Sequence, residues 1–164
     1  MTIADIKFIK ATTPEEFETI KELFREYGNS LNFSLDFQDF EKELMTVPQK
    51  YASPEGVALL CYYQNIAVGC VGVRKLEENI GEVKRLYVKP EYRSLKLGKK
   101  LMELAIEAAA ELGYQSIRLD SVKEMAAAIN LYKKMGFYEI EAYCYNPLDN
   151  PVYMEKKLNT TLIL

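Results

Sequence analysis

Seven basic side chains fall within residues 82–100 against two acidic ones, a local charge of +5 on a chain whose net charge is −3, so the remainder carries −8. Four of them, Arg93, Lys96, Lys99 and Lys100, surround Gly98 where an apolar run at helical spacing begins: Leu97, Leu101, Leu104, Ala105, Ala108, Ala109 and Leu112, with Gly113 placed as a C-cap. The first turn of a helix carries unpaired amides and the positive end of the peptide dipoles, which attract phosphate. A compact basic stretch on an acidic chain suits a small polyanion; a nucleic acid would want a broader basic face. A second set of side chains can move protons. The chain has no histidine, which removes Ser-His-Asp and Cys-His chemistry and argues against a zinc site. Proton transfer must use Glu, Asp, Tyr, Lys or solvent. Cys61, Cys70 and Cys144 are widely spaced in strand-like apolar runs and read as buried reduced thiols. No base or cationic partner for a thiol can be identified, which argues against a cysteine nucleophile.

These groups need a frame. Glu82 to Val88 alternates as a strand, with Glu82, Lys84, Leu86 and Val88 on one face and Val83, Arg85 and Tyr87 on the other, and Pro90 ends it. The order is therefore strand, basic loop, helix. Upstream, Ile6 to Ala11 reads as a first strand, and Thr13-Pro14-Glu15-Glu16 as a capping box opening a helix with Phe17, Ile20, Leu23, Phe24 and Tyr27 inward, stopped by Gly28 and Asn29. A second helix is expected from Asp36, using Phe37, Phe40 and Leu44, then a loop from Thr46 to Gly56. Val57 to Tyr63 and Ile66 to Val73 form a buried hairpin, and Glu77 to Gly81 turns into the 82–88 strand as its antiparallel neighbour. Ser116 to Asp120 follows by a right-handed crossover and should lie parallel to 82–88. Met125, Ala128, Ile129, Tyr132 and Met135 share a helical face ended by Gly136, and Phe137 to Tyr145 and Val152 to Leu158 are a last pair of strands. At 164 residues, 49% hydrophobic and 27% charged, the chain reads as one globular domain over 1–164, without internal repeats. No apolar run is long enough to cross a bilayer and MTIADIKFIKA lacks the pattern of a secretory signal, so a cytoplasmic location is expected.

RLYVKPEYRSLKLGKKLMELA resembles the acyl-coenzyme A binding motif of the GNAT superfamily of N-acetyltransferases: Arg or Gln, two residues, Gly, one residue, Gly or Ala. Arg93 and Gly98 match its ends. Lys96 replaces the middle Gly; it is expected in an ordinary helical conformation with its ammonium turned towards phosphate. AAAINLYKKMGF, residues 126–137, is similar to the superfamily's later motif, with Ala128, Leu131, Tyr132, Gly136 and Phe137 in register and Met125 where the leading Asn would stand. A subgroup of the superfamily with Met at this place resembles the surrounding block as well.

The resemblance implies an α/β fold, a mostly antiparallel six- to seven-stranded sheet with four helices on both faces. It also implies acetyl-coenzyme A as co-substrate with no metal. The backbone of Leu86, Tyr87 and Val88 would hold the pantetheine arm, where the strand splays from residues 115 to 120. Arg93, Ser94, Leu95, Lys96, Leu97, Gly98 and Lys99 would hold the diphosphate, and Met125 and Tyr132 would flank the arm. Tyr132 would donate a proton to the leaving thiolate; Glu82, on the expected face of Leu86 and Val88, is the leading base and Asp120 the alternative. Tyr27, Asn32 and Phe33 are candidates to line the acceptor pocket. The implied activity is acetyl transfer to a primary amine, of a small molecule or exposed on a protein, by a monomer or homodimer, with neither nucleic acid nor membrane as partner. A non-catalytic acyl-coenzyme A binding domain and a hydroxyl acyltransferase are the competing readings.

Overall fold

The capping box starts the first helix as expected: Thr13 Oγ1 accepts from the Glu16 amide at 3.1 Å, and the Glu16 carboxylate accepts from the Thr13 amide at 3.0 Å. In the computed structural model, which describes residues 2–35 and 39–159, the elements are β1 (Ile6–Lys10), α1 (Pro14–Ser30), α2 (Phe40–Met45), α3 (Val47–Lys50), β2 (Val57–Tyr63), β3 (Ile66–Glu77), β4 (Ile80–Val88), α4 (Leu97–Glu111), β5 (Ser116–Val122), α5 (Ala126–Lys134), β6 (Tyr138–Ile140) and β7 (Pro151–Lys157). Short 3-10 helices, Ile3–Asp5 and Pro90–Leu95, precede β1 and α4. The strands form one seven-stranded sheet in the order β1-β2-β3-β4-β5-β7-β6, antiparallel throughout except for the β4–β5 pair. Among the described residues, no helix is long and apolar enough to cross a membrane.

Helices cover both faces, which is why β2 and β3 read as nearly continuous apolar runs. On one face α4 sets Leu101, Met102, Ala105 and Ala109 against Leu59, Val71, Val73 and Val83. On the other, α1 sets Phe17, Ile20 and Phe24 against Ala58, Leu60 and Cys70. Phe24 is fully buried, so its truncation to Ala would cost about 3–5 kcal/mol.

Several expectations change. α1 runs through Gly28 and Asn29 to Ser30; Gly28 is a point of close approach, since a Cβ there would lie 2.9 Å from Phe40 Cε2. The expected helix start at Asp36, with Phe37, lies outside the described residues. The loop from Thr46 contains α3, so five α-helices are described where four were expected. β3 extends to Glu77 and turns at residues 78–79, with Asn79 at φ 67. The strand expected from Phe137 to Tyr145 is paired only over Tyr138–Ile140. Beyond Ile140 the chain leaves β7, and Tyr143, Cys144 and Asn146 turn inward to hydrogen-bond carboxylates of β4 and β5. Buried carboxylates need donors, and that need outweighs further ladder pairs on an edge strand. Cys144 is thus half-buried in an irregular segment, whereas Cys61 and Cys70 are buried strand thiols as expected.

Candidate active site

The site begins with a defect in β4. Gly72 pairs with Lys84 and Cys70 with Tyr87, so Arg85 and Leu86 together face Val71, and Arg85 takes a left-handed backbone conformation, φ 59. This is a β-bulge, and one extra residue inverts the faces beyond it. Val83 before the bulge and Leu86 and Val88 after it pack with the α4 cluster, while Tyr87 joins the α1 cluster. Glu82 and Lys84, flanking Val83, therefore point away from the face of Leu86 and Val88. The regular alternation expected across 82–88 fails at Arg85. A second irregularity follows: β4 pairs with β5 only at Ile80, Gly81 and Glu82, although the two strands continue to Val88 and Val122. They diverge, and the opening between them is the site.

A groove of ≈ 810 Å³ runs from this opening to the start of α4. Leu86, Tyr87, Val88, Arg93, Lys96, Gly98, Lys99, Met125 and Tyr132 line it, together with Ser30, Leu31 and Lys134, which carried no mark in the sequence beyond ordinary surface polarity or packing. Ser94, Leu95 and Leu97 do not line it; Leu97 is core, at 3% exposure, and Leu95 packs against the α4 cluster. Arg93 ties the basic loop to the strand end: its Nε donates to Val88 O at 2.9 Å and its guanidinium lies 5.9 Å from the Tyr87 ring centroid. Lys96 departs from expectation. It sits at φ 56, ψ 33, left-handed, as the residue before α4. The turn from the 3-10 helix into α4 demands that conformation, and glycine would meet the demand without a Cβ penalty. The Lys100 amide is the first to find a helical acceptor, Lys96 O at 3.4 Å, leaving the amides of Leu97, Gly98 and Lys99 at the groove end without one. A Cβ added to Gly98 would meet no atom within 4 Å, so the space beside these amides is open. Free amides, a vacant approach and basic side chains together fit a diphosphate.

Where the groove reaches the strand opening it adjoins a slot of ≈ 80 Å³, and Tyr27, Leu86, Met125 and Tyr132 line both. The slot adds Phe33, Lys84, Arg85, Asp120, Ser121 and Asn146. Tyr27 and Phe33 are placed as expected; Asn32 is exposed and lines neither space. Tyr132 packs 5.9 Å from Phe137, and burial pushes its phenol well above the ordinary 10.0. Its proton stays on at neutral pH.

Behind the slot lies a buried charge cluster. Glu82 is 2% exposed: Oε1 accepts from Arg74 Nε at 3.3 Å and Nη2 at 3.2 Å, and Oε2 accepts from Tyr143 at 2.7 Å. It lines neither groove nor slot. Burial, then the Glu82 charge, pushes the Tyr143 phenol far up, so it remains a donor. Asp120 does face the slot; Oδ2 accepts from Asn146 Nδ2 at 3.1 Å and from the Cys144 thiol at 3.7 Å. The Lys84 ammonium lies 3.8 Å from both Asp120 Oδ1 and Glu82 Oε1. Glu82, Asp120 and Cys144 offer ligand atoms within 4.8 Å of one another, but Lys84 already supplies the cation between the carboxylates. Burial raises the Cys144 and Cys61 thiols to about 11 and Cys70 further still, so none is a thiolate near neutral pH.

The profile of the Acetyltransferase (GNAT) family matches residues 17–137. An uncharacterised N-acetyltransferase of Schizosaccharomyces pombe is 35% identical over 97% of this chain and 99% of its own length. One of Dictyostelium discoideum is 29% identical over 93% of this chain and 99% of its own. Among solved structures, a GNAT-family acetyltransferase of Staphylococcus aureus superposes with a TM-score of 0.74 at 24% identity, covering 93% of this chain and 99% of that one. An N-acetyltransferase of Thermoplasma acidophilum, solved with coenzyme A, gives 0.66 at 22% identity, over 93% and 98%. These likenesses carry the fold, and the family match and the Schizosaccharomyces relative carry the class: the chain is an acetyltransferase and belongs to the GNAT family.

Proposed function

We propose that this acetyltransferase passes the acetyl group of acetyl-coenzyme A to a primary amine, of a small molecule or exposed on a protein, by direct attack. One observation carries the reading: a single groove joins the free amides and basic side chains at the start of α4 to Tyr132, and there meets a slot that holds a carboxylate, Asp120. Acetyl-coenzyme A supplies an activated thioester when bound. The chain's own groups do the rest. Arg93, Lys96, Lys99 and the amides of Leu97 to Lys99 hold the diphosphate. Backbone groups of Leu86 to Val88, released from β5 by the divergence, hold the amide-bearing arm and polarise the thioester carbonyl.

Formation of the C–N bond requires the amine to lose a proton, and cleavage of the C–S bond leaves a thiolate that must gain one. Tyr132, protonated and lining both spaces, donates towards sulfur. A phenol held above 10.0 is a weak acid beside a thiol of pKa about 8.5, so it acts chiefly as a hydrogen-bond donor. Asp120 receives the amine proton, directly or through water. Glu82, with both oxygens engaged, acts through Lys84 and Tyr143 and touches no substrate. The absence of a thiolate near neutral pH supports direct attack over an acyl-enzyme.

The test is a panel of small amines and amine-terminated peptides incubated with acetyl-coenzyme A, with free thiol as readout. Thiol release that depends on one class of amine is expected. Release by hydroxyl compounds alone would overturn the amine acceptor, and no uptake of coenzyme A at millimolar concentration would overturn the reading entirely.

A further inference from the structure

The bulge that shapes the groove is built on a residue ill-suited to it. Arg85 stands at φ 59, a conformation in which an L side chain crowds the backbone and which glycine adopts freely. Nothing local favours Arg there, yet the position is held from both ends. Its Nε donates to Glu43 Oε2 at 3.0 Å, and its guanidinium lies 5.0 Å from the Phe40 ring centroid, both on α2. Its carbonyl oxygen accepts from the Cys70 thiol at 3.3 Å, across the ladder in β3. Arg85, Glu43 and Cys70 are 6%, 2% and 0% exposed, so water competes little for these bonds. Arg74 Nη1 also binds Glu43, at 3.1 Å, so the carboxylate stays paired if Arg85 is removed.

We propose that Glu43 and Cys70 are positioning residues for acetyl transfer: they clamp Arg85 in its left-handed conformation and thereby fix the bulge that turns the backbone of Leu86 to Val88 towards the groove. The register makes this consequential. Released from the clamp, a non-glycine residue relaxes to negative φ, and the peptide groups of residues 85–86 rotate with it. The next three residues are those assigned above to the pantetheine arm, so the inference rests on that reading. It also assigns work to Cys70, whose burial keeps the thiol protonated and therefore a donor.

Substitution by glycine separates backbone conformation from side-chain charge. Coenzyme A dissociation constants and amide hydrogen exchange across residues 83–89 are measured for the wild type, Arg85→Ala and Arg85→Gly. Alanine keeps the Cβ and loses the anchor; binding should weaken about tenfold, equal to about 1.4 kcal/mol, with faster exchange at Leu86 and Tyr87. Glycine also loses the anchor but tolerates positive φ, and should recover most of that tenfold loss. Equal losses in the two variants, or wild-type binding by Arg85→Ala, would overturn the clamp. If Arg85→Ala does not fold, Cys70→Ala against Cys70→Ser serves instead, since the serine hydroxyl restores a donor to the Arg85 carbonyl. Recovery by serine supports the clamp, and equal loss refutes it. A wild type that binds no coenzyme A would reject the proposed function while leaving the exchange comparison to judge the clamp.

Discussion

Two charged regions sit at either end of the groove, and they obey opposite rules. Behind β4 the side chains of Glu43, Glu82, Lys84, Arg85 and Asp120 are each at most 8% exposed, Arg74 is 22% exposed, and every charge lies within 3.8 Å of an opposite one. At the start of α4 Arg93, Lys96 and Lys99, and across the groove Lys134 at the end of α5, are exposed, and among the described residues none of the four forms an ion pair. A buried charge persists only when paired, so the first region fixes a shape. A cluster of unpaired cations in water adds little to folding, repels itself, and becomes favourable when a polyanion arrives. On the function proposed above, the first region serves stability and the second cofactor affinity.

The comparison breaks most readily at Glu82. Glu82→Ala strands Arg74 and Lys84 with fewer partners, and should cost about 3–5 kcal/mol by denaturant unfolding. A loss of less than about 1 kcal/mol would mean that the cluster does not govern the fold. Tyr132→Phe tests the junction between the regions: turnover should fall about ten- to a hundredfold with coenzyme A affinity nearly unchanged. Unchanged turnover under conditions where chemistry limits the rate would remove its role as donor.

Smaller effects sharpen the other side. Lys96→Glu combined with Lys99→Glu should weaken coenzyme A binding about tenfold at low salt, less as ionic strength rises, and leave the unfolding midpoint almost unmoved. Binding equal to wild type would make these lysines ordinary surface. Lys96→Gly relieves a left-handed Cβ and should raise stability by up to about 1 kcal/mol, at the expense of one ammonium in the groove. The smallest effect belongs to Glu16, a surface carboxylate held by the Thr12 and Thr13 amides and the Thr12 hydroxyl. The Thr12 and Thr13 amides hold its pKa below the ordinary 4.5. Its contribution is therefore full above that value and is lost as pH falls through the lower folded value. Wild type and Glu16→Gln should differ in melting temperature at pH 7, and the difference should shrink as pH is lowered from 4.5.

Some of these features could be read from residues a few positions apart. Thr13 and Glu16 announce a cap, Pro90 ends a strand, and Gly113 at φ 95 follows α4 as its spacing required. The basic cluster around Gly98 and the phenol at 132 were also visible, the first because its charges crowd a short stretch of chain and the second because it lies on a regular helical face. The bulge was not: an arginine at positive φ carries no sequence mark of the kind glycine leaves, and a period-two reading runs straight through it. Nor could the sequence show that Glu82 is sealed behind the slot while Asp120 faces it, or that Tyr143 and Cys144 leave the strand pattern to reach them.

Local spacing thus determined most of the helices and strands and the clustered charge at the start of α4, since helix periodicity, caps and charge act over one or two turns of chain, and the motif resemblance pointed to the family. The slot at the other end depends on long-range demands: buried carboxylates from β4 and β5 must find donors, and an inserted residue held by α2 and β3 determines which face of β4 meets the groove. Those partners lie as far apart as 61 residues in the chain, and only the folded arrangement brings them together.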